Sequence, residues 1–506
     1  MKKIKPDIAV IIITSVILLA IFLFWHYNLG LTRYFDVDEY AHLHWTAKML
    51  QGKRPYIDFL SFFPPGYWMS LMPAFIGGWG TTAPFLAARF LTFLVFAGMC
   101  ISSSYLFYLL RRGPLFLLPA VFLAFLPLPF DKYLEIRPDS LATLLILVAV
   151  IFQIRWFDWE RKVDGLLSGI FYALSLIVLP KMAPNVAVGA GIFLIFHWMD
   201  AKGRIARRIR TVLMKLKPVW GGFLVPTVIL FGYLLSLGNV GLVFYSLTRL
   251  GVEANKISQW FIMMPDLFFY PNGIYYGQNG WHKGLYLNHA LYLAGALMAI
   301  IRLLTPYLTS SGKRVFAEIL LAAQLVVQII FYVKIVPLKH AQYLIPIGVL
   351  VSWYSADAIN LIWLKLKDKL AGRISFTIFY VALALVFFET FIFVNGMKKT
   401  WTNTEGLAKL AQLYRTIPAG EPILDLDGRF LYNPDAYYAC CIPFGQFAGF
   451  LSRPLPSLTD TLASSPIKYI NHGELKRVGT LPLQDQVYIS SFYEPSQNPI
   501  ILVRKE

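Results

Sequence analysis

The sequence predicts a helical polytopic membrane protein of about eleven transmembrane helices, followed by a small external α/β domain. Three observations predict it. Of the 506 residues, 57% are hydrophobic and the mean hydropathy is +0.58, too apolar for a soluble chain. The formal net charge of +18 is gathered in short loops between long apolar runs. That is the charge asymmetry of a membrane protein, and it argues against nucleic acid as the partner. From Gly396 onward the composition becomes that of a soluble domain.

Apolar runs of roughly the 20 residues a bilayer requires fall at 8–27, 84–110, 114–130, 140–156, 164–180, 182–199, 219–238, 285–304, 315–336, 342–363 and 374–395. The start, Met1-Lys2-Lys3-Ile4-Lys5 and then Ile8–Tyr27, has the shape of a signal peptide. The run is longer than a signal core and lacks a small-residue cleavage site, so it reads as a retained first span. The basic loops are Arg111-Arg112, Arg155–Lys162, Lys202–Lys217, Arg302–Arg314 and Lys365–Arg373. Counted through these spans, they all fall on the side of Lys2, Lys3 and Lys5, the cytoplasmic side by the positive-inside rule.

The external side then receives loops 28–83, 131–139, 180–184, 239–284 and 337–341, and everything after Asn395. This divides the chain into a transmembrane domain, 1–395, and an external domain, 396–506. Segment 239–284 is rich in aromatic residues (Trp260, Phe268, Phe269, Tyr270, Tyr275, Tyr276, Trp281) and reads as a loop lying on the lipid interface.

In the C-terminal part, Leu407, Leu410, Leu413 and Tyr414 give Thr404–Thr416 helical spacing. Pro422–Leu426, Val487-Tyr488-Ile489 and Ile500–Val503 read as short strands. Asp425-Leu426-Asp427-Gly428 lacks the full pattern of a calcium loop and reads as a turn. The three cysteines, Cys100, Cys440 and Cys441, supply no disulfide framework, because a bridge between neighbours strains the backbone. Their spacing fits no zinc pattern.

The stretch after the first span carries the strongest chemical signal. Asp36, Asp38 and Glu39 crowd at a membrane boundary, where ionisable groups are costly to desolvate and tend to mark sites. The alternative is capping, with Asp38 as N-cap and Glu39 in the first turn of a helix 39–50. Gly52-Lys53-Arg54-Pro55-Tyr56-Ile57-Asp58-Phe59 follows, then Pro64-Pro65-Gly66-Tyr67-Trp68, a fixed turn with interfacial aromatics. His42 and His44, two residues apart, point to different faces of a helix and make no metal pair.

The second external loop reads Asp131-Lys132-Tyr133-Leu134-Glu135-Ile136-Arg137-Pro138-Asp139. Its acids either form a site or cap the next helix, Asp139 acting there through Ser140. Lys181, between two apolar runs, either snorkels to the headgroups or contacts a lipid phosphate. Lys339-His340-Ala341-Gln342-Tyr343-Leu344-Ile345-Pro346 forms the loop before the tenth span. His340 has no ligand spacing and reads as a neutral hydrogen-bonding group.

These pieces, in this order, resemble the C-type membrane glycosyltransferases (GT-C). The branch they resemble contains aminoarabinose–lipid A transferases and protein O-mannosyltransferases. The resemblance implies a sugar donor linked to polyprenyl phosphate, a lipid, glycan or protein acceptor, and an active site on the external, periplasmic-side face of the cell inner membrane. It implies Asp38 as general base, with Glu39 and Asp139 as further catalytic carboxylates. Arg137, Lys181, Lys339, His340 and Tyr343 are implied to hold the donor phosphate, and Tyr56, Pro65, Tyr67 and Glu135 to line the substrate. No metal ligand is identified and no cofactor is required, although a divalent cation is left open.

Two departures matter. Gln342 stands where relatives often carry Arg before the Tyr. Ser61, Phe62 and Phe63 stand where some relatives carry a charged residue or His, so any role there is not transferable. Asp38, beside Glu39 and partly desolvated, is expected to have a raised pKa suited to a base. A phosphate leaving group needs cationic stabilisation and no strong acid, and direct displacement inverts the anomeric centre. The rival class is a transporter or flippase of a lipid-linked glycan. Such a protein usually places polar residues mid-bilayer, whereas these span interiors look nearly bare. A non-catalytic assembly protein on the same fold is a second rival.

Overall fold

The computed structural model describes residues 5–260, 283–305, 312–335, 341–441 and 444–506. Among them, nine helices are long and apolar enough to cross a membrane. The helices are α1 (Pro6–Thr32), α2 (Val37–Leu50), α3 (Gly66–Leu71), α4 (Ala83–Arg111), α5 (Leu118–Phe125), α6 (Pro127–Tyr133), α7 (Pro138–Trp159), α8 (Lys162–Val178), α9 (Ala183–Asp200), α10 (Ile205–Ser236), α11 (Lys283–Leu304), α12 (Gly312–Ile330), α13 (Ile345–Leu366), α14 (Leu370–Gly396) and α15 (Thr404–Thr416). Large apolar side chains remain exposed along α1, α4, α10 and α14, as lipid-facing surfaces require.

Two expected spans take other forms. Run 114–130 is divided into α5 and α6, with non-helical backbone at Leu128 and Pro129. Proline supplies no N–H and clashes with the preceding turn, so a helix cannot run through Pro127 and Pro129. Run 164–180 is α8, 17 residues long. It is held closely against α10 by glycines. A Cβ at Gly169 would lie 1.9 Å from the Val219 carbonyl oxygen, and one at Gly222 the same distance from that of Leu166. Helices in lipid gain association from such close backbone approach.

The span interiors are not bare. Asn185 on α9 hydrogen-bonds Gln324 and Gln328 on α12, all three buried. Each amide satisfies another, which is what burial demands of them. Ion pairs mark the two ends of the bundle. At one end Arg111 bonds Asp357 and Glu318, each at 2.6 Å, and Arg302 bonds Asp357 at 2.7 Å. At the other end lie Arg89, near the start of α4, and the two acidic loops.

After Gly396 the chain forms a four-stranded sheet in the order β1-β2-β4-β3. Its strands are β1 (Ile423–Asp425), β2 (Tyr469–Asn471), β3 (Tyr493–Pro495) and β4 (Ile501–Arg504); β1 runs parallel to β2, and β4 antiparallel to β2 and β3. The expected helix over 404–416 is α15. Val487-Tyr488-Ile489 lies instead in a helix, Leu483–Phe492. A short apolar run has the same pattern in a buried helix as in a strand. Asp425-Leu426-Asp427-Gly428 is a turn: Asp425 accepts from the N–H groups of Asp427, Gly428 and Phe430. Cys440 and Cys441 are joined, contrary to expectation. Cys441 adopts a left-handed backbone, φ 74°, which lets neighbouring sulfurs meet.

Of segment 239–284, the described part is a series of short helical turns, Val240–Tyr245, Ser246–Leu250, Gly251–Ala254 and Asn255–Trp260. Phe268, Phe269, Tyr270, Tyr275, Tyr276 and Trp281 lie outside the described residues.

Candidate active site

Helix α2 starts at a capping box. Asp36, not Asp38, is the N-cap: its carboxylate accepts from the Asp38 N–H, and Glu39 accepts from the Asp36 N–H. The Asp-x-x-Glu spacing of Asp36 and Glu39 is a readable cap signature, and it frees Asp38 from that duty. Asp139 does not cap α7 either. Arg137 precedes that helix, Pro138 opens it and Asp139 follows in the first turn, where a carboxylate suits the helix dipole.

Glu39 and Glu135 form a buried floor, and both side chains are 0% exposed. Arg89 of α4 bonds both oxygens of Glu39, the second at 2.5 Å. The Ile136 N–H also donates to Glu39, at 2.8 Å, tying the second acidic loop to the first. Glu135 accepts from Lys132 at 2.7 Å, from Arg33 at 2.8 Å and from Arg137. Burial pushes its carboxyl up, but Arg137, Arg33 and Lys132 together hold it well below the usual range. Neither glutamate keeps surface for a substrate. Both are paired as buried charges must be.

Asp38 differs, because 50% of its side chain is exposed. It takes one hydrogen bond from Arg137, at 2.6 Å. Protein nevertheless surrounds it on the inner side, and that desolvation pushes its carboxyl up. Desolvation is the largest single influence, but Arg137, with weaker help from His42 and Lys132, outweighs it in sum and holds Asp38 below its ordinary value. The expected rise is thus a fall, because the summed attraction of the neighbouring groups, Arg137 foremost, exceeds the burial penalty. Arg137 also bonds Glu135 and reaches Asp36 at 3.3 Å, so its guanidinium is engaged by three carboxylates.

His42 stands one helical turn after Asp38, a partner the spacing allows but which sequence reasoning missed. It accepts from Trp68 Nε1 on Nδ1 at 3.4 Å and meets Tyr67 edge-on, ring centres 5.0 Å apart. Burial lowers its pKa to about 3, against the pull of Asp38. It is therefore a neutral, dipolar neighbour of the carboxylate.

Asp139 interacts with Lys181, Arg137 and Asp38. Lys181 donates to the Tyr343 hydroxyl at 3.2 Å and sits 4.3 Å from the centre of that ring. The fold therefore brings Asp38, Asp139, Arg137, Lys181 and Tyr343 together from α2, α7, the α8–α9 turn and the turn before α13. Tyr67 is buried behind this group. Tyr56 packs with Leu237 and Val243, its hydroxyl donating to the Phe63 carbonyl, and Pro65 precedes α3 as its N-cap. The turn at Gly66 presses on α8, where a Cβ would strike Ile177. Lys339 and His340 lie outside the described residues.

Further residues that sequence reasoning missed complete the frame. Lys398 bonds Asp131 at 2.7 Å, and Asn403 Nδ2 donates to the carbonyls of Leu31 and Arg33. The chain leaving α14 thus returns to lock both acidic loops. These partners are remote in sequence, so no local pattern announces them.

No protein-family model and no curated protein sequence matches the chain. Among solved structures it is similar to the archaeal oligosaccharyltransferase AglB from Archaeoglobus fulgidus in complex with an inhibitory peptide and a dolichol-phosphate. That match has a TM-score of 0.56 at 12% identity and covers 97% of this chain and 74% of the other. It is also similar to ArnT from Cupriavidus metallidurans bound to undecaprenyl phosphate, with a TM-score of 0.57 at 11% identity over 96% of this chain and 97% of the other. The chain thus shares the fold of these two structures, and its described residues form the multi-pass helical architecture that the resemblance implies.

Proposed function

We propose that the protein is an inverting glycosyltransferase. It moves a sugar from a polyprenyl-phosphate donor to a lipid, glycan or protein acceptor on the external face of a cell's inner membrane. The observation that carries this reading is the half-exposed Asp38, with Asp139 and the Lys181–Tyr343 pair beside it. Two of the similar structures hold dolichol-phosphate and undecaprenyl phosphate, which supports a donor of that chemistry.

On this reading the work divides among the residues as follows. Asp38 is ionised and open, and accepts the acceptor's proton. Arg137 orients it and lowers its basicity. The carboxylate is ionised at neutral pH in either case, so what Arg137 contributes is position rather than basicity. Asp139 positions the acceptor. Lys181 and the Tyr343 hydroxyl receive the phosphate, whose charge grows as the glycosidic bond breaks. Glu39 and Glu135 act as struts for this group.

The test uses purified protein and a polyprenyl-phosphate-linked sugar. The expected result is transfer with inversion at the anomeric carbon. Lys181→Ala should weaken polyprenyl-phosphate binding by about 1.5–3 kcal/mol, the worth of a charge-assisted hydrogen bond, or roughly ten- to hundredfold in Kd. Equal binding by parent and Lys181→Ala, with no transfer by the parent, would contradict the proposal.

A further inference from the structure

His44, on α2 beyond the candidate site, is wholly buried, with 0% of its side chain exposed. Its Nε2 faces Asp435, 3.1 Å from one carboxylate oxygen. A carboxylate only accepts, so Nε2 carries a proton in this contact, and the neutral tautomer, with its lone pair on Nδ1, is the form able to ligate a cation. Nδ1 is buried and has no hydrogen-bond partner among the described residues, a costly state for a polar atom. Both sulfurs of Cys440 and Cys441 lie with a ring nitrogen of His44 inside a group whose members are within 4.8 Å of one another, all buried. With Nε2 engaged, Nδ1 is the nitrogen open to a ligand.

We propose that His44, Cys440 and Cys441 form a redox-gated site for a thiophilic divalent cation, zinc being the ion of that class to test. The residue types suit it, since thiolate and imidazole are the ligands zinc selects. The surroundings suit it as well. A ligating histidine ordinarily donates its other N–H to a carboxylate, as His44 does to Asp435. Asp435 is held in turn by Lys48 at 3.0 Å. Arg477 fixes the cysteine backbone by donating to the Cys441 carbonyl at 2.7 Å. Asp425 Oδ2, 3.7 Å from His44 Nδ1, stands beside the group as a further anionic oxygen.

The sulfurs are joined as a disulfide here, and a disulfide is a poor ligand, so the site loads only after reduction. A dithiol supplies two electrons and two protons to the S–S bond. Two thiols form, and the dithiol becomes a disulfide. The cation then displaces the two thiol protons as it binds. A disulfide oxidant reverses the loading: it takes two electrons from the thiolate pair, leaves as two thiols with two protons from solvent, and the cation is released as the Cys440–Cys441 bond closes. The site joins α2, which carries Asp38, to the segment after β1, so loading clasps the two.

The test uses the full-length protein in detergent, with Cys100→Ser as background, and cobalt(II) as a visible stand-in for zinc. After anaerobic dithiol treatment and desalting, titration should produce a sulfur-to-cobalt charge-transfer band that saturates at one ion per chain. Zinc should displace it, and the oxidised protein should give no band. Asp435→Asn should weaken cobalt binding roughly 10–100-fold, as loss of a histidine's carboxylate partner does. Cys440→Ser with Cys441→Ser should abolish the band. A reduced parent without a charge-transfer band overturns the proposal, and that comparison needs no variant to fold. An undiminished band in the double serine variant overturns it equally.

Discussion

Asp38 and Glu39 are neighbours on one helix but point in different directions, because successive helical residues face about 100° apart. Glu39 meets Arg89 and the Ile136 N–H in the interior. Asp38 meets Arg137 at the opening. Burial and Arg137 act on Asp38 in opposite senses, and Arg137 with its weaker neighbours prevails in sum. The carboxylate is therefore ionised from neutral pH down through the ordinary carboxylate range, and the base is lost only as pH falls through its depressed pKa. Arg137→Gln leaves burial unopposed by that charge. The acid limb of the kcat/KM profile for sugar transfer should then move to higher pH; an unmoved limb would show that Arg137 does not set the base. The acidic pair was legible in the sequence; the capping box was present in the Asp36-x-x-Glu39 spacing, but the expected cap was Asp38. Which acid stays open was not legible, because Arg89 and Glu135 reach the site from other segments.

At the scale of elements, hydropathy identified the long spans, since a bilayer dictates their length and composition. It could not show that 114–130 breaks, although Pro127 and Pro129 are the readable cause. Nor could it show which helices touch. The α8–α10 contact depends on Gly169 and Gly222, each of which would place a Cβ against a facing carbonyl. Gly221, one position away, has nothing among the described residues within 4 Å of where its Cβ would be. Gly222→Leu should lower the Tm of the purified protein clearly, by overpacking of about 1–3 kcal/mol or more. Gly221→Leu should leave Tm nearly unchanged. Equal shifts in a thermal unfolding series would refute the close-contact account.

At the scale of the whole molecule, the two clusters of ion pairs give the bundle two chemically distinct ends. Residues read as cytoplasmic, such as Arg111 and Arg302, meet at one end through Asp357. Residues read as external, such as Arg33 and Glu135, meet at the other. Charge bias and three-dimensional pairing are independent, and they agree on which loops share a side. With Lys202→Cys and Ala419→Cys in intact cells, an impermeant maleimide should label only the second; labelling of both, or of Lys202→Cys alone, would contradict the proposed orientation. The ties from the C-terminal part back to the acidic loops, through Lys398 and Asn403, were invisible in sequence because they join distant segments. The claim on which all these scales converge is that Asp38 accepts the acceptor's proton. The measurement is sugar transfer from a polyprenyl-phosphate donor by the parent, Asp38→Asn and Asp36→Asn at equal expression. Asn caps a helix as well as Asp, so Asp36→Asn should remain close to the parent. Asp38→Asn should bind donor normally and turn over roughly 10² times more slowly or worse, as loss of a general base requires. Full activity in Asp38→Asn, or an equal loss in Asp36→Asn, would contradict the account.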